Sequence, residues 1–279
     1  MKLPKIIWSV NFVTIVKLFK KYILGKKDHT INFGLKPDKW DSRDIYYKLS
    51  RRPGAIYPAS TYRKNISEFP IRYDQGDIGS CVGNGVVEAF RRTVHVNKMA
   101  DANLSRLFAY YISRDEEEKN SDSGASIRNA FKAVNKWGIC HEETWPYIPS
   151  KYAVTPPETA FAEAMEHQSI RYERIYPVTK EAIMDAVSRG FPVVYGKILY
   201  ESFMSSAVAK TGIVPKPRTC REDKIGGHCM VIFDYDEAGT VELNSWGRNW
   251  GLDGTCHVPW EYVLNCKLCQ DFWVFYETE

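Results

Sequence analysis

The sequence contains no internal repeat and no low-complexity tract, which excludes fibrous and repeat architectures. It also has no strong excess of one charge, because the formal net charge is +4, too small and too dispersed to indicate a nucleic-acid-binding protein. Its composition is that of an ordinary globular protein, with 44% hydrophobic and 26% charged residues. At 279 residues the chain can bury a substantial core, as one large domain or as two halves that share a cleft.

Long apolar runs are scarce as well, and the one near the start is short. Residues 6–16 are uncharged and strongly apolar, but a membrane-spanning helix needs about 20 such residues. No small-residue cleavage site follows, as a signal peptide would require. A signal anchor therefore competes with an amphipathic helix over residues 6–24 that lies on a membrane or on the protein itself. The compartment stays open, with secretory, lysosome-like and membrane-associated locations as the options.

Cysteines are few and odd in number. With seven of them, at least one thiol cannot pair within the chain, which favours a role for that thiol. Cys266 and Cys269 have CxxC spacing, but no second pair completes a zinc site and no βαβ pattern surrounds a redox motif. Structural thiols or a disulfide are the preferred interpretation there, and no metal site is predicted.

The first half of the chain has mainly helical patterns. Cys81 begins a segment in which apolar residues recur at every fourth position, which places them on one face of a helix with Ser80 as its N-cap. The patterns also predict helices over residues 104–114 and 126–137. Gly138 stops the second of these in the position that a helix C-cap favours.

The second half has mainly strand patterns. After a short helix predicted over residues 180–189, apolar runs with the character of strands follow one another. These runs cover residues 191–195, 230–233, 241–243 and 272–276. The chain therefore divides into a helical half and a strand-rich half.

Cys81 is the first chemical candidate, because a helix N-terminus favours the thiolate over the neutral thiol. Alone, a cysteine in this position is more often a small buried hydrophobic residue. Gln75 lies six residues earlier, behind a glycine-containing loop that can turn its side-chain amide towards the sulfur. With the backbone N–H of Cys81 it would form a two-donor oxyanion hole, although a lone glutamine here would be an ordinary surface residue.

His228 and Asn244 are the candidates for the general base and its partner. His228 stands at the head of an apolar strand after two glycines, a place where most histidines are structural. Asn244 starts an Asn-Ser-Trp-Gly sequence, and its amide oxygen can fix the imidazole tautomer so that the other ring nitrogen faces the thiol. Trp246 can cover that hydrogen bond. The coincidence of these residues with Gln75 and Cys81 is what argues against a purely structural explanation.

With these residues in place, the sequence resembles the papain family of cysteine proteases from Pro58 to near the C-terminus. The segment around Gln75 and Cys81 is similar to the family's nucleophile segment, His228 lies where its catalytic histidine does, and Asn244 begins a sequence similar to its asparagine segment. The resemblance implies an α+β, papain-like two-domain fold. A helical left domain and an antiparallel β right domain would have the active-site cleft between them, and no metal or organic cofactor is implied.

The resemblance predicts three regions. Residues 1–55 form an N-terminal pro-segment or membrane-associating extension, residues 56–165 the mainly helical half with the nucleophile, and residues 166–279 the mainly β half with the catalytic histidine and asparagine. In this family the pro-segment crosses the cleft in the reverse of the substrate direction. We therefore expect the first region to inhibit the uncut chain, and a targeting or membrane helix without an inhibitory contact is the alternative.

Two departures are similar to a divergent branch of the family. Val82 follows the nucleophile where the family usually has tryptophan, and Asp77 and Ile78 occupy the place of a disulfide cysteine. Loss of that bridge weakens any argument for an oxidising compartment.

The resemblance also implies positions that bind substrate. Gly124 lies in the loop that replaces the family's substrate-binding glycine pair. Gly227 leaves an open wall for the subsite that selects the P2 side chain, and Asp271 is expected near the floor of that subsite, where it would favour basic P2 residues. Trp246 and Trp250 flank the leaving-group side.

The implied activity is hydrolysis of peptide bonds through a thioester acyl-enzyme. The expected partners are a peptide or protein substrate and the chain's own N-terminal segment in the cleft, and no nucleic acid. Two alternatives remain. One is an inactive papain-like module that binds peptides or proteins, and the other is an acyltransferase that passes the same thioester to an amine.

Overall fold

The computed structural model describes residues 33–50, 71–96 and 102–278. Helices dominate its first half, where the apolar stripe that begins at Cys81 forms the longest of them. In chain order the α-helices of the described residues are α1 (Cys81–Val96), α2 (Arg106–Ser113), α3 (Ile127–Trp137), α4 (Glu158–Ala164), α5 (Lys180–Ser188), α6 (Ser206–Thr211) and α7 (Trp260–Val263). The three helices predicted in the first half and the predicted helix α5 are confirmed.

The helix ends follow from the local sequence. Ser105 and Ser126 each accept a hydrogen bond from the backbone N–H three residues later, which caps α2 and α3. Gly138 ends α3 with φ of 71°, a backbone conformation that glycine adopts without a steric penalty. Ser80, the predicted cap of α1, directs its hydroxyl to the Tyr147 hydroxyl.

Strands make up most of the second half. Those of the described residues are β1 (Leu35–Lys36), β2 (Ala125–Ser126), β3 (Ser169–Arg174), β4 (Val193–Tyr200), β5 (Lys224–Tyr235), β6 (Gly239–Leu243), β7 (Thr255–Pro259) and β8 (Cys269–Thr278). Six of them form one sheet in the order β3-β8-β4-β5-β6-β7, and every pairing in it is antiparallel. The four predicted apolar runs lie in or overlap β4, β5, β6 and β8.

Strand β5 faces both halves of the molecule. Successive side chains of a strand point to opposite faces of the sheet. Cys229 and Val231 accordingly belong to the hydrophobic cluster that α1 shares, whereas Met230 and Ile232 belong to the second cluster, within the β half. His228 lies on the same face as this second pair. The strand therefore joins the two cores and holds a histidine at the boundary between them.

Residues 33–50, which we call the N-terminal segment, lie between the two halves. Their strand β1 pairs in parallel with β2, with Leu35 opposite Ala125. Strand β2 leads directly into α3, so this pairing ties the segment to the helical half. On its other side the Leu35 side chain packs against Gly196 of β4 and Gly227 of β5, in the β half.

The predicted division into a helical half and an antiparallel β half agrees with the described elements. The predicted limits of the three regions stay a prediction, because the boundary near residue 55 and the predicted start at Pro58 lie outside the described residues. The apolar residues 6–24 lie outside them too. Among the helices that the structure describes, none is long and apolar enough to cross a membrane.

Candidate active site

Cys81 is the first residue of α1, and its side chain is fully buried where the helical half meets β5. The backbone N–H groups of Cys229, Gly34 and Val82 lie near its sulfur. Burial raises the pKa of Cys81 to about 11, because it disfavours the thiolate, while the neighbouring N–H groups act in the opposite direction. The thiol is therefore protonated in this state, which is the unreactive form of a cysteine nucleophile.

His228 and Asn244 meet across neighbouring strands. The imidazole Nε2 lies 2.8 Å from the Asn244 Oδ1, and both side chains are buried. The other ring nitrogen, Nδ1, has no hydrogen-bond partner among the described residues. Burial lowers the pKa of His228 to about 4, and the bond to Asn244 opposes this shift. The arrangement fixes one ring nitrogen and leaves the other for a proton transfer.

Gln75 is fully buried in the loop before α1. Its side-chain Nε2 donates to the Ile78 carbonyl at 2.9 Å, and its Oε1 accepts from the Ser245 hydroxyl at 2.6 Å. The Gln75 backbone N–H donates to the Ser245 carbonyl at 2.8 Å. Ser245 follows Asn244 directly. The turn that contains Asn244, the partner of His228, therefore also anchors Gln75, the candidate oxyanion donor.

The two predicted tryptophans differ in their position. Trp246 lies over His228, with 5.1 Å between ring centroids, and also contacts Phe33 edge to face. Trp250 is 4% exposed and stacks on Phe203 behind Trp246. Trp246 therefore forms part of the cleft wall, whereas Trp250 supports it from the core.

Gly34 of the N-terminal segment crosses the site beside Cys81. Its carbonyl accepts from the Ala125 N–H at 2.8 Å. A Cβ atom at Gly34 would lie 1.7 Å from the Gly79 carbonyl oxygen, and one at Gly124 would lie 2.0 Å from the Gly34 oxygen. Both positions need glycine because the backbones approach so closely. Gly124 thus lies against the Gly34 backbone, and its predicted role in substrate binding stays a prediction.

The two neighbours of Gly34, Phe33 and Leu35, pack against successive glycines of β5. Phe33 packs over the Gly226 backbone and lies edge to face with His228 at 6.1 Å. The Leu35 carbonyl oxygen and Cβ lie 3.2 and 3.4 Å from the position of a Cβ at Gly227, the predicted open wall. The cleft between the two halves is therefore filled on both sides of Cys81.

Comparison with known proteins decides the family. Residues 60–274 match the family model described as papain family cysteine protease. The chain belongs to the papain family of cysteine proteases. The match covers most of the chain and spans Gln75, Cys81, His228 and Asn244.

Individual relatives agree with this membership. The chain is 37% identical, over 88% of its length, to an uncharacterized peptidase C1-like protein of Acanthamoeba polyphaga mimivirus, of which it covers 87%. Xylellain, a cysteine protease from Xylella fastidiosa, is 29% identical with a TM-score of 0.81, over 91% of this chain and 99% of xylellain. Procathepsin B S9 from Trypanosoma congolense shares the fold at 13% identity and a TM-score of 0.71, over 96% and 97% of the two chains.

This papain-family chain is therefore a cysteine peptidase with the predicted α+β two-domain fold, and that fold is zymogen-like. The inactive module and the acyltransferase are not favoured. Assignment to a divergent branch of the papain family stays a hypothesis. All seven cysteines lie within the described residues and are free thiols, the CxxC pair included.

Asp271 of this papain-family peptidase lies behind the N-terminal segment. Its carboxylate accepts from the Arg174 guanidinium at 2.8 Å and from the Asp38 backbone N–H at 2.9 Å. Burial, followed by the nearby Asp38 charge, raises the pKa of Asp271 to about 6. Its predicted role in P2 selection stays a prediction, and the charge that this role needs is already paired with an arginine.

Two contributors to the papain-family site were not predicted residue by residue. An inhibitory segment was expected from the sequence, but Phe33, Gly34 and Leu35 were not identified as the residues that lie beside Cys81 and His228. A glycine between two large apolar residues was the available signal, because close passage over a backbone requires glycine. The other contributor is the Tyr147 hydroxyl, which donates to the Gln75 carbonyl. Its Trp-Pro-Tyr sequence resembles a connecting stretch of the family, but that resemblance predicted no role in the site.

Proposed function

We propose that the chain is a self-inhibited zymogen in which the N-terminal segment blocks a Cys-His-Asn peptidase site. The observation that carries this proposal is the position of Gly34, whose backbone lies against the Cys81 sulfur and is bonded to Ala125. A substrate would need the same space. The likeness of the fold to solved procathepsins supports the idea.

The segment escapes cleavage because of its direction. It runs parallel to β2 and brings the Gly34 N–H to the sulfur. Nucleophilic attack requires a carbonyl carbon at that point, with its oxygen between the oxyanion donors. The segment therefore presents the Gly34 N–H, a hydrogen-bond donor, where a substrate would present its carbonyl carbon. This agrees with the reversed orientation that the family resemblance implies for the pro-segment.

Asp38 holds the segment in place beyond the cleft. Its carboxylate accepts from the Arg128 backbone N–H at 2.9 Å, at the start of α3, and from the Trp273 indole at 2.8 Å. Its own N–H donates to Asp271. A carboxylate at a helix N-terminus is stabilised by the helix dipole. Since Asp38 follows Leu35 by three residues, these bonds fix the part of the segment that lies in the cleft.

Later contacts fasten the rest of the segment. Asp44 forms ion pairs with Arg128 and Arg174, and both members of each pair are largely buried. The Tyr47 hydroxyl donates to Asp185 of α5 at 2.7 Å. The segment therefore contacts the helical half through Arg128 and the β half through Asp185, so its release requires both sets of contacts to break.

After release, the proposed mechanism is acyl transfer by four residues. Without the segment the burial of Cys81 and His228 decreases, which lowers the thiol pKa, raises the imidazole pKa and favours a thiolate–imidazolium pair. The thiolate attacks the peptide carbonyl, and His228 protonates the leaving amine. His228, oriented by Asn244, then activates the water that hydrolyses the thioester.

Gln75 and the Cys81 N–H are the proposed oxyanion donors. The Gln75 side-chain amide donates a hydrogen bond to the Ile78 carbonyl, which holds the amide in place beside α1. Donors fixed in advance cost no reorganisation during the reaction, and removal of one such donor lowers kcat by roughly 100- to 1,000-fold.

The proposed P2 subsite is apolar. In the closed form the Leu35 Cδ2 lies 2.7 Å from the position of a Cβ at Gly196 and 3.5 Å from that at Gly227. Two glycines leave room there for a branched side chain. The Asp271 carboxylate is paired with Arg174, so it offers little uncompensated charge to a basic P2 residue.

The test compares intact protein with protein that is cut after folding, at a protease sequence introduced within residues 51–70, and then separated from the released N-terminal piece. We expect peptide hydrolysis only after the cut, with none in Cys81→Ala before or after it. Product mass spectrometry separates cleaved peptide from cross-linked peptide, the product of an acyltransferase. Equal hydrolysis before and after the cut would refute self-inhibition, and hydrolysis by Cys81→Ala would refute the nucleophile.

A further inference from the structure

The loop that carries Gln75 is held by a residue far away in sequence. The Tyr147 hydroxyl donates to the Gln75 carbonyl oxygen at 2.9 Å. The same hydroxyl pairs with the hydroxyl of Ser80, the residue before Cys81. One side chain therefore joins the backbone of the candidate oxyanion donor to the residue that precedes the nucleophile.

The position of Tyr147 is itself fixed by its neighbours. The Arg106 guanidinium stacks between two rings, 3.9 Å from the Tyr147 centroid and 4.5 Å from the Tyr73 centroid. The backbone N–H of Tyr147 donates to Glu142 at 2.7 Å. Arg106 also donates to the Asp74 carbonyl at 3.3 Å, next to Gln75 in the chain. A guanidinium is attracted to the faces of aromatic rings, so this stacking restrains the Tyr147 ring.

We propose that Tyr147 is a positioning residue for the oxyanion hole. Its hydroxyl fixes the Gln75 peptide, and through that peptide it fixes the side-chain amide that donates to the oxyanion. The inference rests on the oxyanion role proposed for Gln75. Catalytic donors must be placed closely, because a displacement of about 1 Å can cost on the order of 100-fold in rate.

The chemistry of the hydroxyl suits this role across the working pH range. Burial raises the pKa of Tyr147 to about 12, so the phenol keeps its proton at neutral pH. The Gln75 carbonyl only accepts hydrogen bonds, and a protonated phenol is the donor that it needs. Phenylalanine retains the ring for Arg106 and removes only this hydroxyl.

The test uses the full-length chain, folded intact and then cut within residues 51–70. Tyr147→Phe should lower kcat for a peptide amide about tenfold, which corresponds to about 1.4 kcal/mol of transition-state stabilisation, with KM unchanged. Alkylation of Cys81 by iodoacetamide forms no oxyanion, so its rate and pH profile should stay at the wild-type values. Tyr111→Phe is the matched control, since it removes a tyrosine hydroxyl that contacts Thr155 on the same half, and it should leave kcat unchanged.

A double-variant cycle shows whether Tyr147 acts through Gln75. In a Gln75→Ala background, Tyr147→Phe should cause little further loss, because the side chain that it positions is gone. A wild-type kcat for Tyr147→Phe, an equal fall in alkylation, or a full further loss in the Gln75→Ala background would each overturn the positioning role. If Gln75→Ala itself kept full kcat, the oxyanion assignment and this inference would both fail, while Cys81 could still be the nucleophile.

Discussion

Cys81 and His228 have pKa shifts in opposite directions in the closed form. Burial raises the pKa of the thiol to about 11 and lowers the pKa of the imidazole to about 4. Between these values both groups are neutral, which is the reverse of the thiolate–imidazolium pair that attacks a peptide. We therefore propose that burial of the site under the N-terminal segment also keeps the nucleophile in its unreactive form.

These shifts predict how the thiol responds to pH. In the intact chain the iodoacetamide alkylation rate of Cys81 should be low at pH 8, where about one thiol in a thousand is ionised, and should rise about tenfold per pH unit. In the cut chain the rate should already be high at neutral pH and almost constant above it. Identification of the alkylated cysteine by mass spectrometry separates Cys81 from the exposed Cys220 and Cys266. The same pH profile before and after the cut would contradict the proposal that the N-terminal segment keeps the Cys81 thiol protonated.

The side chain of Leu35 gives a prediction for substrate choice. We expect the cut chain to prefer Leu over Arg at P2 in a peptide library, because Leu35 packs at Gly196 and Gly227 while Arg174 neutralises Asp271. The measurement is kcat/KM across peptides that differ only at P2. A preference for Arg or Lys would instead support the specificity role that the sequence predicted for Asp271.

At the scale of elements, the segment is held by polar contacts at the start of α3 and in the first half of β8. Asp38 alone links the Arg128 N–H, the Trp273 indole and, through its N–H, Asp271. Burial raises the pKa of Asp38, and the hydrogen bonds from Arg128 and Trp273 and the nearby arginine charges oppose that shift. Hydrogen bonds to charged groups contribute about 1.5 to 3 kcal/mol each, so this one residue can decide the balance between closed and open forms.

The corresponding prediction concerns the uncut chain. Asp38→Ala should raise its basal peptidase activity by roughly 30-fold or more, since loss of about 2 kcal/mol from the closed form shifts the equilibrium by that factor. Lys39 is the next residue and is exposed, so Lys39→Ala is the matched control and should leave the uncut chain without peptidase activity. After the cut the three proteins should have equal kcat. An uncut Asp38→Ala as inactive as wild type would show that these contacts do not hold the segment.

Elements were predictable where the sequence pattern is strong. The fourfold spacing after Cys81 and the stop at Gly138 predicted α1 and α3, and the apolar run around Met230 predicted β5. Strand β3 alternates charged residues with apolar ones along Ser169–Arg174 and offers no apolar run. Strand β1 has only two residues and forms because it pairs with β2 in the cleft. Such an element depends on tertiary contacts rather than on local preference.

At the scale of the whole molecule, the site joins residues that are far apart in the chain. Gln75 bonds to Ser245, and the Cys81 side chain meets backbone from Gly34 and Cys229. The sequence motifs predicted Gln75 and Cys81, because each residue type has a known task in acyl transfer. The motifs could not show which residue of the N-terminal segment would cover the sulfur, since that depends on how the two halves pack.

Substitution of Gly34 shows most directly whether this residue of the N-terminal segment blocks the site around Cys81. A Cβ at Gly34 would lie 1.7 Å from the Gly79 carbonyl oxygen and 2.3 Å from the Gly79 carbonyl carbon, so alanine cannot occupy the closed position. The measurement is peptide hydrolysis by uncut Gly34→Ala beside uncut wild type and uncut Lys39→Ala. We predict that uncut Gly34→Ala hydrolyses the peptide, whereas uncut wild type and uncut Lys39→Ala do not. If Gly34→Ala were as inactive as wild type until cut, blockage of the site by this part of the segment would be contradicted.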